Sequence, residues 1–274
     1  MILRRNMINH VPTIIAFLPY TTINQPQSMK TLLIIALDAL VSIGIIFIWG
    51  CSSPNATTEQ ASVTPTKMVS EPADDWEVLF DGTNLDHWHD YHGEGISWKI
   101  EDGTLTTDGG QGDIVTDDAY ENFELEFEWK VAEAGNSGVI YLVQEDEQYE
   151  HSFETGPEYQ IIDADNFTKK NDYPLNASQK TGANYALHAA EGAKVKPIDE
   201  FNQGKIIVND GHVEHWLNGA KVVEYDLWTD DWKQQVAQTK FAEMPGYGKA
   251  KEGHIALQDH GDRVWFRNVR IKRL

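Results

Sequence analysis

Three short polar runs interrupt otherwise apolar stretches of this chain, and they hold the residue types that could do chemistry. The first is Thr155-Gly156-Pro157-Glu158-Tyr159-Gln160-Ile161-Ile162-Asp163. On a strand, Glu158, Gln160 and Ile162 share one face. A carboxylate and an amide set into an apolar strand lose their water, which is costly unless a partner or a ligand replaces it. The second run, Gln258-Asp259-His260-Gly261-Asp262, follows the apolar His254–Leu257 and places an acid beside an imidazole at a glycine turn. The third, Gly135-Asn136-Ser137-Gly138, leads into Val139–Val143. Together they offer a carboxylate for general-base work, an imidazole for proton donation, and amides for hydroxyl recognition.

Each run also has a bland reading. Glu158 and Gln160 fit a solvated edge strand, residues 259–262 fit a polar hairpin, and Asn-Ser-Gly is a common turn. His215, beside Trp216, fits a satisfied sheet histidine. His87, His89 and His92 match a metal cluster by count, but their irregular spacing reads as a solvated loop. The chain has no HExxH pair and no GxSxG elbow, and its single cysteine, Cys51, excludes an intrachain disulfide and a Cys-based metal cluster.

The elements that must position these groups are strands. Phe123–Val131 alternates apolar and charged residues strictly, the pattern of an antiparallel strand with one buried face and one wet face. Further strands are expected at 76–80, 97–100, 104–107, 138–143, 158–163, 205–208, 212–217, 221–225, 254–258 and 264–272. Asp102-Gly103, Asp210-Gly211 and Asn218-Gly219 sit between such runs and supply the positive φ angles of tight hairpins. Many short strands with regular turns predict an all-β sandwich or jelly roll of residues 76–274. Two segments break the rhythm. Residues 164–201 form a long polar connection of the kind that often carries function. Thr229-Asp230-Asp231-Trp232 opens a short helix, by its Thr cap and first-turn acids, that ends before Pro245-Gly246.

The N-terminal portion reads differently. Residues 31–50 are almost continuously apolar after Lys30, and end in Gly50-Cys51. That is the pattern of a lipoprotein signal segment over residues 1–50, with Cys51 as the lipidated residue and Met29 as a better start than Met1. Asp38 and Trp49 weaken the pattern, and the run is also long enough for a permanent membrane anchor. Residues 51–75, rich in Ser, Thr and Pro, read as a disordered tether. The expected place is the cell envelope, lipid-anchored at the outer membrane and facing the periplasm. A formal net charge of −21 argues against nucleic acid as a partner.

Read in order, a series of short stretches resembles the 3-keto-disaccharide hydrolase domain family across nearly all of residues 76–274. They are Leu79-Phe80-Asp81-Gly82-Thr83-Asn84-Leu85, Gly112-Asp113-Ile114-Val115-Thr116, Tyr120 through Trp129, Gly135-Asn136-Ser137-Gly138, Gly156-Pro157-Glu158-Tyr159-Gln160, Thr181-Gly182-Ala183-Asn184-Tyr185, His215-Trp216-Leu217-Asn218-Gly219, and His254 through Asn268. The resemblance implies a concanavalin A-like jelly roll of two antiparallel sheets with a sugar cleft. It also implies cleavage of glycosides whose sugar is a ketone at C3. The ketone acidifies the C2 hydrogen, a base removes it, and the aglycone leaves C1, with water adding back where the outcome is hydrolysis. On that expectation Glu158 is the base, His260 the acid or enolate stabiliser, and Asp259 the group that orients His260. Asn136, Gln160, Gln258, Tyr185 and His215 hold the sugar. No organic cofactor is expected. A divalent metal on Glu158, Asp259 and His260 is an alternative enolate stabiliser. A separate oxidoreductase must make the ketone. Leu142 departs from the family pattern, in which a basic or polar residue stands there. A non-catalytic carbohydrate-binding module is the rival reading, since fold alone does not settle function, and a paired-carboxylate glycosidase is the third.

Overall fold

The computed structural model describes residues 75–274. The expected signal segment, the lipidated Cys51 and the tether lie outside the described residues.

Among the described residues thirteen strands form two sheets in which every pairing is antiparallel. The larger sheet contains β1 (Trp76–Phe80), β3 (Lys99–Glu101), β4 (Thr104–Thr107), β6 (Phe123–Val131), β9 (Asn202–Asn209), β10 (His212–Leu217), β11 (Ala220–Asp226) and β13 (Val264–Arg273). Its order is β11-β10-β9-β6-β13-β4-β3, with β1 also paired to β13. The smaller sheet contains β2 (Trp88–Asp90), β5 (Ile114–Thr116), β7 (Asn136–Val143), β8 (Glu158–Ile162) and β12 (His254–Leu257), in the order β2-β5-β12-β7-β8. This is the two-sheet jelly roll expected from the strand pattern. The hairpins turn where expected: Asp102-Gly103, Asp210-Gly211 and Asn218-Gly219 all have positive φ at both residues.

The two sheets differ in a way that locates the site. In β6, buried and half-buried residues alternate. Phe123, Leu125, Phe127 and Trp129 point into the core against Tyr141, Tyr159 and Ile161, while the outward Glu residues pair with Arg and Lys of neighbouring strands. In β7 and β8 every residue is buried. The smaller sheet is therefore covered on both faces, and its outer face carries an apolar patch of Val115, Ile140, Val143 and Ala256, against which Tyr91 and Phe153 pack. A sheet face hidden by loops rather than by the other sheet is where a cleft can form.

Three features depart from expectation. Strands β2 and β5 have three residues each, too few to show a period. The connection at 164–201 contains a helix, α1 (Ala164–Asn171). Leu142 does not face outward: it is 1% exposed, has φ of 58°, and is the extra residue of a bulge where His254 pairs Val143 and Ala256 pairs Ile140. Its side chain joins the core, so its departure from the family pattern has no direct path to a ligand.

Candidate functional site

Glu158 opens β8 with its side chain on the outer face of the smaller sheet, since the next residue, Tyr159, belongs to the core. It is 7% exposed. Gln160, at 1%, follows on the same face, so the solvated-edge reading fails. Gly138 lies opposite Gln160 on β7, and a Cβ there would stand 2.6 Å from Glu158 Oε1. The missing side chain is what makes room for the carboxylate. On the other side of Gly138, Gln258 donates its backbone N–H to the Gly138 carbonyl at 3.0 Å. Asn136 stands two residues earlier on β7. Glu158, Gln160, Gln258 and Asn136 thus gather around one glycine. Asn136 Oδ1 and Gln258 Oε1 are buried acceptors without a partner among the described residues, the kind of orphan that a bound hydroxyl or water satisfies.

Burial pushes the Glu158 carboxyl up to about 8, with Asp113 adding to the rise and the Lys240 cation opposing it; no hydrogen bond offsets the lost solvation. Tyr185 is also here. Its backbone N–H donates to the Glu158 carbonyl at 3.0 Å, and its ring lies 4.6 Å below Lys240 Nζ. The backbone of residues 182–185 runs along β8: Gln160 N–H donates to Ala183 O at 3.1 Å and Gly182 N–H to Gln160 O at 2.9 Å.

Asp259 has a different task from the one expected. Its two oxygens accept from Thr107 Oγ1, Gly110 N, Gln111 N and Gly261 N at 2.7 to 3.0 Å. Those four donors occupy the carboxylate, which pins the loop at 107–111 to the turn at 259–261 and does not orient His260. His260 is exposed in that turn. The expected metal set does not assemble either. Among the described residues the only set of three or more His and acidic side chains whose ligand atoms all lie within 4.8 Å of one another is His212, Glu214 and Glu224 on the larger sheet, and Lys221 already bridges those two glutamates. No step is derived through a metal.

His215 is not a sugar ligand. It is fully buried between the sheets on β10. Its Nδ1 faces the Gly182 carbonyl at 3.0 Å and its Nε2 faces Tyr141 Oη at 2.9 Å, which is 2.5 Å from Tyr225 Oη. A carbonyl only accepts, so Nδ1 carries the hydrogen. Burial depresses the ring to about 3, so it is neutral, and Nε2 accepts from Tyr141, which accepts from Tyr225. The chain of bonds holds residue 182, and with it the segment along β8. His89, placed in a solvated loop by its spacing, lies on β2 with Nδ1 at 2.7 Å from Asp117 and Nε2 at 2.9 Å from Glu145. Two carboxylates raise its pKa against the opposing effect of burial.

Two groups escaped the sequence reading. Asp113, just before β5, accepts from Asp259 N at 2.8 Å and from Ser152 Oγ, and burial raises its pKa. A charged residue directly before the β-branched run Ile114-Val115-Thr116 was the available signal. Lys240 comes from the late insertion, where α2 (Asp230–Val236), capped by Thr229, is followed by a 3₁₀ turn at Lys240–Glu243. The helix was legible, but nothing in its spacing points one lysine at β8.

The comparisons agree with this architecture. The family model described as 3-keto-alpha-glucoside-1,2-lyase-like domain matches residues 75–272. A 3-keto-disaccharide hydrolase of Bacteroides thetaiotaomicron is 35% identical over 231 residues, covering 74% of this chain and 79% of the relative. Two crystal structures of Parabacteroides distasonis proteins, provisionally described as glycosyl hydrolases, also match. One has TM-score 0.69 at 40% identity, covering 73% of this chain and 94% of that one. The other has TM-score 0.57 at 32% identity, covering 73% and 99%. With the match spanning nearly all of the described residues, the chain belongs to the 3-keto-alpha-glucoside-1,2-lyase-like domain family.

Proposed function

We propose that this protein cleaves glycosides whose sugar bears a ketone at C3. Glu158 takes the proton from C2, the electron pair moves into the C2–C3 bond and onto O3, and the resulting enolate expels the aglycone from C1. The product is the unsaturated ketone, and addition of water at C1 gives the keto sugar, so that the sum is hydrolysis. The ketone is what brings the C2 hydrogen within reach of a carboxylate base. The observation that carries this reading is Glu158 itself: a carboxyl pushed up to about 8, without a hydrogen-bond partner, seated above Gly138. A base is most effective with a pKa near the working pH. Gln160, Gln258 and Asn136 surround it with amides for sugar hydroxyls. His260, exposed at the rim, is the proposed proton donor to the leaving oxygen. A sugar 3-oxidoreductase supplies the substrate, and lipidation of Cys51 keeps the enzyme at the envelope.

A second reading has one observation behind it. Asp113 stands close enough to raise Glu158, and two coupled carboxyls are the equipment of ordinary glycosidases. One assay separates the readings. The purified protein is given the 4-nitrophenyl glycoside of 3-keto-glucose, with and without chelator, beside the unoxidised glucoside. Nitrophenol release from the keto compound alone, abolished in Glu158→Gln with sugar binding retained, is the expected result. Release from the unoxidised glucoside moves the assignment to the paired carboxylates. Binding with no release from either substrate leaves a carbohydrate-binding module.

A further inference from the structure

We infer that Lys240 is the catalytic group that receives the enolate charge at O3; the inference rests on the proposed cleavage of 3-keto-glycosides. The placement is fixed from three sides. Lys240 Nζ lies 4.6 Å from the centre of the Tyr185 ring, and Tyr185 is bonded through its backbone N–H to the carbonyl of Glu158. It lies 5.8 Å from the Phe153 ring, which packs on the apolar patch of Ile140, Val143, Val115 and Ala256. It also acts electrostatically on the Glu158 carboxyl, lowering it. The ammonium is therefore held over the same sheet face as the base.

Its chemistry is equally constrained. Lys240 has no carboxylate within 4.0 Å and no hydrogen-bond acceptor among the described residues, whereas Lys99, Lys205, Lys221 and Lys233 are each paired. The residue remains exposed enough to meet a ligand. Three aromatic faces, of Tyr185, Phe241 and Phe153, steady the cation without satisfying its three N–H donors. A cation beside an ionisable base, with free donors and partial shielding from water, stabilises an anion that forms only after the base has acted. In the proposed reaction that anion is on O3, one bond from the carbon whose neighbour Glu158 deprotonates. Asn136, Gln160 and Gln258, the other side chains gathered around Gly138, are neutral amides.

The test reads enolisation apart from cleavage. A 3-keto-1,5-anhydroglucitol has no aglycone, so it can only exchange its C2 hydrogen with deuterated solvent, followed by NMR. The parent protein is expected to exchange this compound and to release nitrophenol from the keto glycoside. In Lys240→Ala both rates fall about 10²- to 10³-fold with little change in KM. The acid limb of kcat/KM moves to higher pH, because Glu158 loses the cation that lowers it. Lys240→Arg restores most of the rate. Parental exchange and release in a folded Lys240→Ala overturn the assignment while leaving the proposed function standing. A rise in KM alone, with kcat unchanged, overturns it too, since that describes ground-state binding. A parent that neither exchanges nor cleaves defeats the proposed function, and this inference with it.

Discussion

Glu158 is poorly stabilised as a carboxylate, because burial takes its water and no hydrogen bond replaces it. Its folded pKa of about 8 lies above its ordinary value, so from about pH 4.5 to 8 the unfolded chain has given up a proton that the native protein keeps. The unfolded state then binds fewer protons, and stability falls as pH rises through that window. Glu158→Gln removes the cost of the buried charge. The variant is expected to melt above the parent at pH 8.5, by the equivalent of about 2–4 kcal/mol, and the gap should close toward pH 5, where both side chains are neutral. Differential scanning calorimetry across that range decides it; a gap independent of pH means that the carboxyl is not buried as described. The same residue shows what the sequence made legible. A Glu and a Gln flanked by apolar residues were conspicuous, because such an arrangement is costly without a purpose. His215 carried the same signal of a polar residue among apolar ones, yet its purpose is internal. Only the partners, Tyr141 and the Gly182 carbonyl, tell the two cases apart, and they lie 74 and 33 residues away in the chain.

At the level of elements, strict alternation and Gly-containing turns identified the long strands closely, since both are local signals. Expected limits at Trp76–Phe80, Thr104–Thr107, Phe123–Val131 and His212–Leu217 coincide with β1, β4, β6 and β10. The three-residue strands β2 and β5 were invisible because their pairing partners alone define them. Most of the missed site chemistry lies outside the strands: Lys240 in the insertion, Asp113 before β5, and the backbone of 182–185 along β8. The interior link from β10 to that segment predicts an outcome. His215→Phe leaves the Gly182 carbonyl and the Tyr141 hydroxyl without their bonds, and is expected to cost about 2–4 kcal/mol in urea unfolding. Turnover of the folded fraction should also fall, because Gly182 and Tyr185 flank Glu158 and Gln160. An unchanged kcat in folded His215→Phe would separate the segment from the site.

Taken whole, the molecule has one face built for water and one built for a ligand. The outer face of the larger sheet is a lattice of ion pairs, with Arg270 on Glu126, Arg267 on Glu128, and Lys205 on Glu124 and Glu126. These pairs are partly solvated, and such pairs add little to stability. The outer face of the smaller sheet is covered, and sets the buried Glu158, Gln160, Gln258 and Asn136 beside the apolar patch of Val115, Ile140, Val143 and Ala256. Arg270→Ala should therefore cost less than about 1 kcal/mol and leave nitrophenol release unchanged, whereas Ile140→Ala should cost about 2–5 kcal/mol and reduce release by loosening the floor beneath Phe153. Equal effects from both substitutions would mean that the two faces are not divided in this way. An overall charge of −21 fits the wet face.

The backbone of residues 182–185 has a second consequence. β8 is the last strand of its sheet, and its outward amides and carbonyls would otherwise be open to any extended chain. By pairing with Gln160 and Glu158, this segment also closes that edge. Any change that lifts this segment away from β8, whether selected for bulkier substrates or introduced by design, uncovers a template for strand-to-strand aggregation. The breadth of substrates such an enzyme can come to accept is then bounded by its solubility before it is bounded by its chemistry.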